Sequence, residues 1–470
     1  MRSKVEKQIV VWLSRVLAIG LGYSLVGLAA AAPTVGAYYY PWWGEGIAGG
    51  HTFDQTVRMH LTPQAQPPAV GLHNSRDAQI ISQHIDQSHR GNISMWSLSW
   101  WGPNSFEDTT IRNHILPHPR AAELSYTIHY ETTGRLGDFG TPDYTNLIPD
   151  FQYLAQHVFS DPNYMRIDGR PVVVMYLSRV YFDDRNGWIA LANLRAAMQQ
   201  QFGYDPYIIG DHIFGNVAAG ATRLDAITGY DVYGQVFGDG VADQQSIDDL
   251  EQIYANAQAF ADSQGVDFVP GVTPGFNDKA VREGHAVAAR YLDALGPTAP
   301  GSVMQKMLDV AVLPHTDSDI DQLILVTSFN EWHEDTQIEP TIVAPSTATD
   351  DSSTGTDLTQ GKSYEGYGDR YLDILRTATA IPGDFNHDGK VDHDDLSGPL
   401  GWEERFGTDL DGHDFLDWQR NFGANAASTA HLVPEPMSVW LLLIGIGNLS
   451  RQTLWHGCHE RVFPHSTRAD

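Results

Sequence analysis

The stretch TSFNEWHEDTQIEP, residues 327–340, holds four carboxylates within nine residues: Glu331, Glu334, Asp335 and Glu339. They follow directly on an apolar run, Leu323–Val326. Residues three apart point to opposite faces of a flat strand but to one face of a helical turn. The apolar run reads as a strand, so Glu331 and Glu334 meet one ligand only if that strand ends near Asn330 and the chain turns. Two carboxylates held together repel, so one keeps its proton to higher pH while the other stays ionised. Such a pair offers an acid and a base at the same pH, which is what glycosidic cleavage needs. A solvated acidic turn and a hard-cation site are the other arrangements open to these residues. His333 reads as a structural hydrogen-bonding group, Asp335 as a turn residue, and Glu339 as a loop support or a solvent-facing group.

Eight short apolar runs, rich in β-branched and aromatic residues, are spread over residues 35–329: 35–40, 93–100, 124–130, 171–177, 207–210, 226–234, 268–275 and 323–329. Between them lie longer segments that read as helices, among them 77–89, 188–202 and 280–295, and a last one near 367–379. Strands alternating with helices in this number predict an α/β fold, a (β/α)8 TIM barrel, with a doubly wound open sheet as the alternative. No GxGxxG or P-loop pattern follows a strand, which weakens that alternative. In a barrel the chemistry sits after the strands. The residues there include Tyr40, Trp42, Trp43, Trp101, Glu131, Tyr181, Tyr233 and Asp278, a lining of aromatics and carboxylates suited to a sugar. No His/Cys cluster has zinc spacing and no G-x-S-x-G occurs. Residues 345–362, rich in Ser, Thr, Asp and Gly, read as a mobile loop at the mouth.

The flanks read differently. Residues 1–31 have the form of a secretory signal peptide: Arg2, Lys4 and Lys7, an apolar stretch, then small residues that allow cleavage after Ala31. The formal charge of −29 argues against nucleic acid as a partner. The single cysteine, Cys458, excludes intrachain disulfides. Residues 381–425 form a separate small α-helical unit opening on DFNHDGKVDHDD, which matches a calcium loop. Asp384, Asn386, Asp388, Asp392 and Asp395 offer side-chain oxygens, Lys390 its carbonyl, and Gly389 the turn. A second copy ending on Asp414 is degenerate, with Arg405 and Gly407 where acids belong. Residues 426–470 contain Pro-Glu-Pro ahead of an apolar stretch, Met437–Leu449, and read as a sorting or anchoring tail.

Seven stretches give the barrel a specific resemblance: VGAYYYPWW (35–43), SWWGPNSFED (99–108), YTIHYET (126–132), GRPVVVMYLSRVYF (169–182), YDVYGQ (230–235), TPGFNDKAVR (273–282) and VTSFNEWHEDTQIEP (326–340). Together they resemble glycoside hydrolase family 99, the endo-α-1,2-mannosidases and mannanases, over nearly all of residues 34–380. The resemblance implies a (β/α)8 barrel and endo cleavage of α-mannosides with retention. It implies that Glu331 is a base on the substrate's own 2-hydroxyl, forming a 1,2-anhydro sugar, and that Glu334 is the acid/base. It also implies Tyr40, Glu131, Tyr181, Tyr233 and Arg282 as substrate contacts, and no cofactor for catalysis. Residues 382–423 resemble a dockerin-type module, which implies calcium and a cohesin-like partner. Residues 433–451 resemble a PEP-CTERM sorting signal, which implies sorting machinery at the membrane of a diderm bacterium, although a tight arginine cluster is missing. A non-catalytic surface glycan-binding protein, or a hydrolase of another α-glycoside on the same scaffold, is also compatible with these residues.

Overall fold

The computed structural model describes residues 32–424 except 221, 283, 353, 354, 356, 387, 388, 399 and 409. The signal-peptide reading of residues 1–31, the tail from residue 426 onward and the calcium ligand Asp388 lie outside the described residues.

Each of the eight apolar runs contains a strand. In chain order they are β1 (Val35–Tyr39), β2 (Ile93–Trp100), β3 (Ser125–Tyr130), β4 (Arg170–Met175), β5 (Tyr207–Asp211), β6 (Ala226–Thr228), β7 (Asp267–Val269, resumed as Gly271–Val272) and β8 (Ile324–Val326). All are parallel, and each pairs with the next in sequence. Pro270 interrupts β7, since proline donates no ladder hydrogen bond. The first piece of β7 pairs with β6 and the second with β8. Pairing of β8 with β1, in the register Val35↔Ile324, then closes the barrel. The strands are buried on both faces, as their unbroken apolar runs require.

The connections are helical. They are α1 (Ala78–Arg90), α2 (Phe106–Thr110), α3 (Leu147–His157), α4 (Arg185–Phe202), α5 (Gln244–Gln264) and α6 (Ser302–Met307), with α7 (Arg370–Thr379) after β8. Only four helical residues, Val217–Gly220, link β5 to β6. The N-caps Asp77, Asp184 and Asp243 each accept a backbone N–H of the first turn. Gly203 and Gly265 end α4 and α5 at positive φ, the conformation that glycine adopts without strain.

Two expectations are corrected. Residues 280–295 are not an α-helix. Val287, Ala288, Ala289, Arg290 and Tyr291 are buried in succession, which a helix with one buried face does not allow, and Ala288 bridges Phe276. Residues 345–362 are not wholly irregular. Val343–Thr347 pairs with Tyr364–Tyr367, and Thr349–Asp350 pairs with Leu61–Thr62.

Beyond α7 the chain forms further helices, among them α8 (His393–Ser397) and α9 (Gly412–Asn421). Asp392 with Asp395, and Asp411 with Asp414, form matching capping boxes. The indoles cross over: Trp418 donates to the Asp392 carbonyl and Trp402 to the Asp411 carbonyl, each at 2.7 Å.

Candidate active site

Beyond β8 the chain makes the expected turn. Ser328 N–H reaches the Thr336 carbonyl at 2.9 Å and Ile338 N–H reaches the Ser328 carbonyl at 2.9 Å, so residues 328–338 fold back on themselves. Within the fold, Ser328 Oγ accepts the Glu331 N–H at 2.8 Å. Asn330 fastens the turn to the end of β1: its Oδ1 accepts Tyr40 N–H at 2.7 Å and its Nδ2 donates to the Tyr40 carbonyl at 3.1 Å.

The four carboxylates separate into two kinds. Asp335 and Glu339 are fully buried and held by cations or ring nitrogens. Asp335 bonds Arg58 at 2.5 Å and Arg290 at 3.2 Å, with φ +50° as suits a turn residue. Glu339 accepts Trp332 Nε1 at 2.7 Å and meets His84 Nε2 at 3.2 Å, so it supports the loop and does not face solvent. Arg58 and Arg290 hold Asp335 below the usual carboxylate range in spite of burial. His73 and His84 do the same for Glu339.

Glu331 and Glu334, just beyond the C-terminal end of β8, have a different set of partners. Glu331 Oε1 accepts the His333 N–H at 2.9 Å, and His333 Nδ1 lies 3.3 Å away. Glu334 accepts from Arg282 Nη2 at 2.9 Å, Tyr233 OH at 3.0 Å and Tyr230 OH at 3.3 Å. The two carboxyls do not split into one high and one low. Burial pushes Glu331 up to about 8 and Glu334 up to about 7, the latter helped by the charge of Glu331 and opposed by Arg282. Desolvation dominates because both are only 2 % and 7 % exposed. His333, stacked on Trp43 at 4.8 Å, is lowered by burial to about 4 and stays neutral.

Of the other residues expected here, four join this pair. Tyr40 OH bonds Tyr230 OH at 2.6 Å, and burial with the charges of Glu131, Glu331 and Glu334 holds its hydroxyl protonated. Glu131, at the end of β3, accepts Ser99 Oγ at 2.7 Å; burial and the two motif glutamates raise it to about 8. Tyr233 lies flat on Phe276 at 3.9 Å and aims its hydroxyl at Glu334. Arg282, half exposed, is held by Asp278 at 3.1 Å. Tyr181 is placed elsewhere: it donates to the Gly137 carbonyl at 2.7 Å and packs on Phe139. Tyr230 and Tyr176 belong to the group as well. Tyr230 bridges Tyr40 and Glu334, and the hydroxyl of Tyr176 feels both Glu334 and Glu131. Position just beyond a strand marks both, but which strand-end tyrosines converge depends on the closure of the barrel.

The model of glycosyl hydrolase family 99 matches residues 61–353. The chain belongs to that family. This glycoside hydrolase is 24% identical over 333 residues to the glycoprotein endo-alpha-1,2-mannosidase of Mus musculus, covering 65% of this chain and 67% of the mouse protein. The Xenopus laevis protein of the same name is 24% identical over 282 residues, 58% of each chain. The solved family 99 endo-alpha-mannosidase of Bacteroides thetaiotaomicron with bis-tris propane superimposes with a TM-score of 0.51 at 21% identity, over 74% of this chain and 99% of that one, and shares the barrel fold.

Two groups in this hydrolase bring three potential metal-binding side chains within 4.8 Å of one another among the described residues: His73, His84 and Glu339, and Asp267, Asp317 and Asp319. The first is tied by hydrogen bonds under the turn, with His84 Nδ1 at 2.8 Å from Tyr39 OH and His73 Nδ1 at 3.0 Å from the Gly71 carbonyl. Neither includes Glu331 or Glu334. In the calcium-loop segment, Asp384 accepts Gly389 N–H at 2.9 Å and Asp395 accepts Asn386 N–H at 3.0 Å. Gly389 turns the loop at φ +81°, and Asp384 and Asp395 are buried. An all-oxygen donor set on a loop closed in this way fits a hard cation.

Proposed function

We propose that this enzyme is an endo-acting α-mannosidase that hydrolyses α-1,2-mannosidic linkages, in mannans or N-glycan-type oligosaccharides, with retention of configuration. The observation that carries the reading is the arrangement of Glu331 and Glu334 on one turn of a family 99 barrel, opposite Glu131 and a bank of tyrosines. Mannose has an axial 2-hydroxyl opposite an α leaving group, placed for backside attack. Glu331 takes the 2-hydroxyl proton as O2 closes on C1, while Glu334 gives its proton to the departing glycosidic oxygen. The products are a 1,2-anhydro sugar and the freed alcohol. Glu334 then takes a proton from water as that water opens the ring at C1, and Glu331 returns its proton to O2. Two inversions give retention, and both carboxyls end as they began.

Burial suits a pair that shares one proton, but its resting order is unfavourable. The donors on Glu334 favour the ionised form there, whereas the mechanism begins with Glu331 ionised. A sugar 2-hydroxyl donating to Glu331 supplies the hydrogen bond that moves the proton to Glu334. Tyr40 and Glu131 are read as substrate contacts, and Tyr233 and Arg282 as groups that orient Glu334. Glu331→Gln and Glu334→Gln are each expected to abolish release of oligosaccharides from an α-1,2-linked mannan. Wild-type turnover in either variant excludes the assignment; a glycan panel on which only another α-glycoside is cut redirects the substrate.

We further infer that residues 1–31 direct export, that residues 433–451 act in sorting, and that Asp384, Asn386, Asp388, Lys390, Asp392 and Asp395 hold a structural Ca2+ in a dockerin-like unit. Leu400, Phe406, Leu416 and Phe422 of that unit are each 41 to 56% exposed, an apolar surface that suits a cohesin-like partner.

A further inference from the structure

The turn that carries Glu334 rests on a buried charge cluster with an uneven sum. Arg58 and Arg290 both bond Asp335, and all three side chains are 7% exposed or less. Two guanidiniums against one carboxylate leave a net positive charge among buried side chains, an arrangement that calls for a counter-charge. Arg58 engages each of its nitrogens, on Asp335, Gln66 Oε1 at 2.7 Å and the Glu365 carbonyl at 3.0 Å. Arg290 does not. Its Nε and Nη2 hold the Asp335 carboxylate and the Asp335 and Gln337 carbonyls, but its buried Nη1 has no hydrogen-bond partner.

The neighbouring charges are committed elsewhere: Glu365 to Arg370 at 2.8 Å and Lys362 to Asp293 at 3.2 Å. The rings of Tyr367 and Tyr371 lie 5.0 and 4.8 Å from the Arg290 guanidinium carbon, and the Tyr371 hydroxyl interacts with the guanidinium, which eases its charge without cancelling it. Beside these groups is a cavity of about 20 Å³, lined among others by Arg58, Arg290, Lys362, Tyr371 and Glu365, whose carboxylate is the one paired with Arg370. A void of that size takes one small occupant.

We propose that this cavity binds a single small monovalent anion, chloride under ordinary conditions, held by Arg290 Nη1. One negative charge balances the Arg58–Asp335–Arg290 cluster, and one halide needs little more room than a single water. Because Arg290 also holds the carbonyls of Asp335 and Gln337, the anion braces the turn that positions Glu334.

The test uses the full wild-type chain and no glycan, so its outcome is independent of the substrate assignment. Crystals soaked in bromide are examined for anomalous scattering, and thermal unfolding is followed in chloride against gluconate at matched ionic strength. The expected results are a bromide peak beside Arg290 Nη1 and a saturable rise in the unfolding midpoint of about 2 °C in chloride. A water without anomalous signal in the cavity overturns the proposal, whatever the melting shows. A bromide peak with no chloride-dependent midpoint is binding at crystal concentration only and overturns it equally.

Discussion

Below pH about 4.5 a glutamate side chain is protonated whether or not the chain is folded, so its burial carries no ionisation cost. Above that pH the unfolded chain releases protons that Glu331 and Glu334 retain, because the fold raises them from an ordinary 4.5 to about 8 and about 7. Their contribution to stability therefore becomes unfavourable as pH rises from about 4.5 and levels off only above the folded values. Glu331 and Glu334 are thus held against their own preference by the rest of the turn. Glu331→Gln and Glu334→Gln remove the ionisable group but keep an oxygen acceptor for the His333 N–H or the Tyr233 hydroxyl. Each is expected to stabilise the fold at pH 7 by about 2 kcal/mol, on the order of 1.4 kcal/mol per unit of displaced pKa after allowance for relaxation. The gain should vanish as the pH is lowered to about 4. Unfolding curves of both variants and wild type across that range check this, and an offset independent of pH contradicts it.

The turn of residues 328–339 is the element on which this pair depends, and Asp335 and Glu339 pin it from beneath. Asp335→Asn deprives the buried Arg58 and Arg290 of the carboxylate they share, and a loss of about 3–5 kcal/mol is expected. Glu339→Gln still offers Trp332 Nε1 an acceptor, so about 1–2 kcal/mol is expected there. Denaturant titrations read both, and equal losses would mean that the charge of Asp335 carries no special weight. The Asp335 variant should also lower kcat, since the adjoining Glu334 loses its seat. The same elements show what a sequence displays and what it hides. The eight strands are legible because each is a local run of apolar, β-branched and aromatic residues. Glu331 and Glu334 are legible from their spacing. The difference between them and Asp335 or Glu339 is not, because it is made by Arg58, 277 residues from Asp335, and His84, 255 residues from Glu339. Residues 280–295 have helical composition, yet Arg290 is drawn into the core by Asp335, and tertiary pairing overrides propensity. Thr349–Asp350 reads as loop because its partner strand, Leu61–Thr62, lies far away in the chain.

At the scale of the whole molecule, two parts of the chain stand in different positions toward their solvent. The barrel core includes the fully buried Ile128, Val173, Ile209, Leu325 and their neighbours, enough apolar surface to hold itself together. Among the described residues of the segment from Ile381 to Ala424, the buried large hydrophobics are Ile381, Phe385 and Val391, and its two capped helices have 5 and 10 residues. A unit of that size generally needs a staple, and a cation on the Asp384–Asp395 loop is the one its sequence offers. The acidic side chains gathered there repel each other in its absence. In chelator, the full chain is therefore expected to melt in two steps, a low one for this unit and a higher one for the barrel. Added Ca2+ should raise the first and leave the second unchanged. Asp395→Ala removes one of the proposed ligands together with the cap at Asp392, so it should abolish the response to calcium. Because Glu331 and Glu334 are held by Ser328, His333, Arg282, Tyr233 and Tyr230 of the barrel, a chain ending at Ala380 should keep full glycosidase activity in chelator. Calorimetry with and without Ca2+, alongside turnover of the shortened chain, tests both expectations; loss of activity in chelator would mean that residues 381–424 support the barrel.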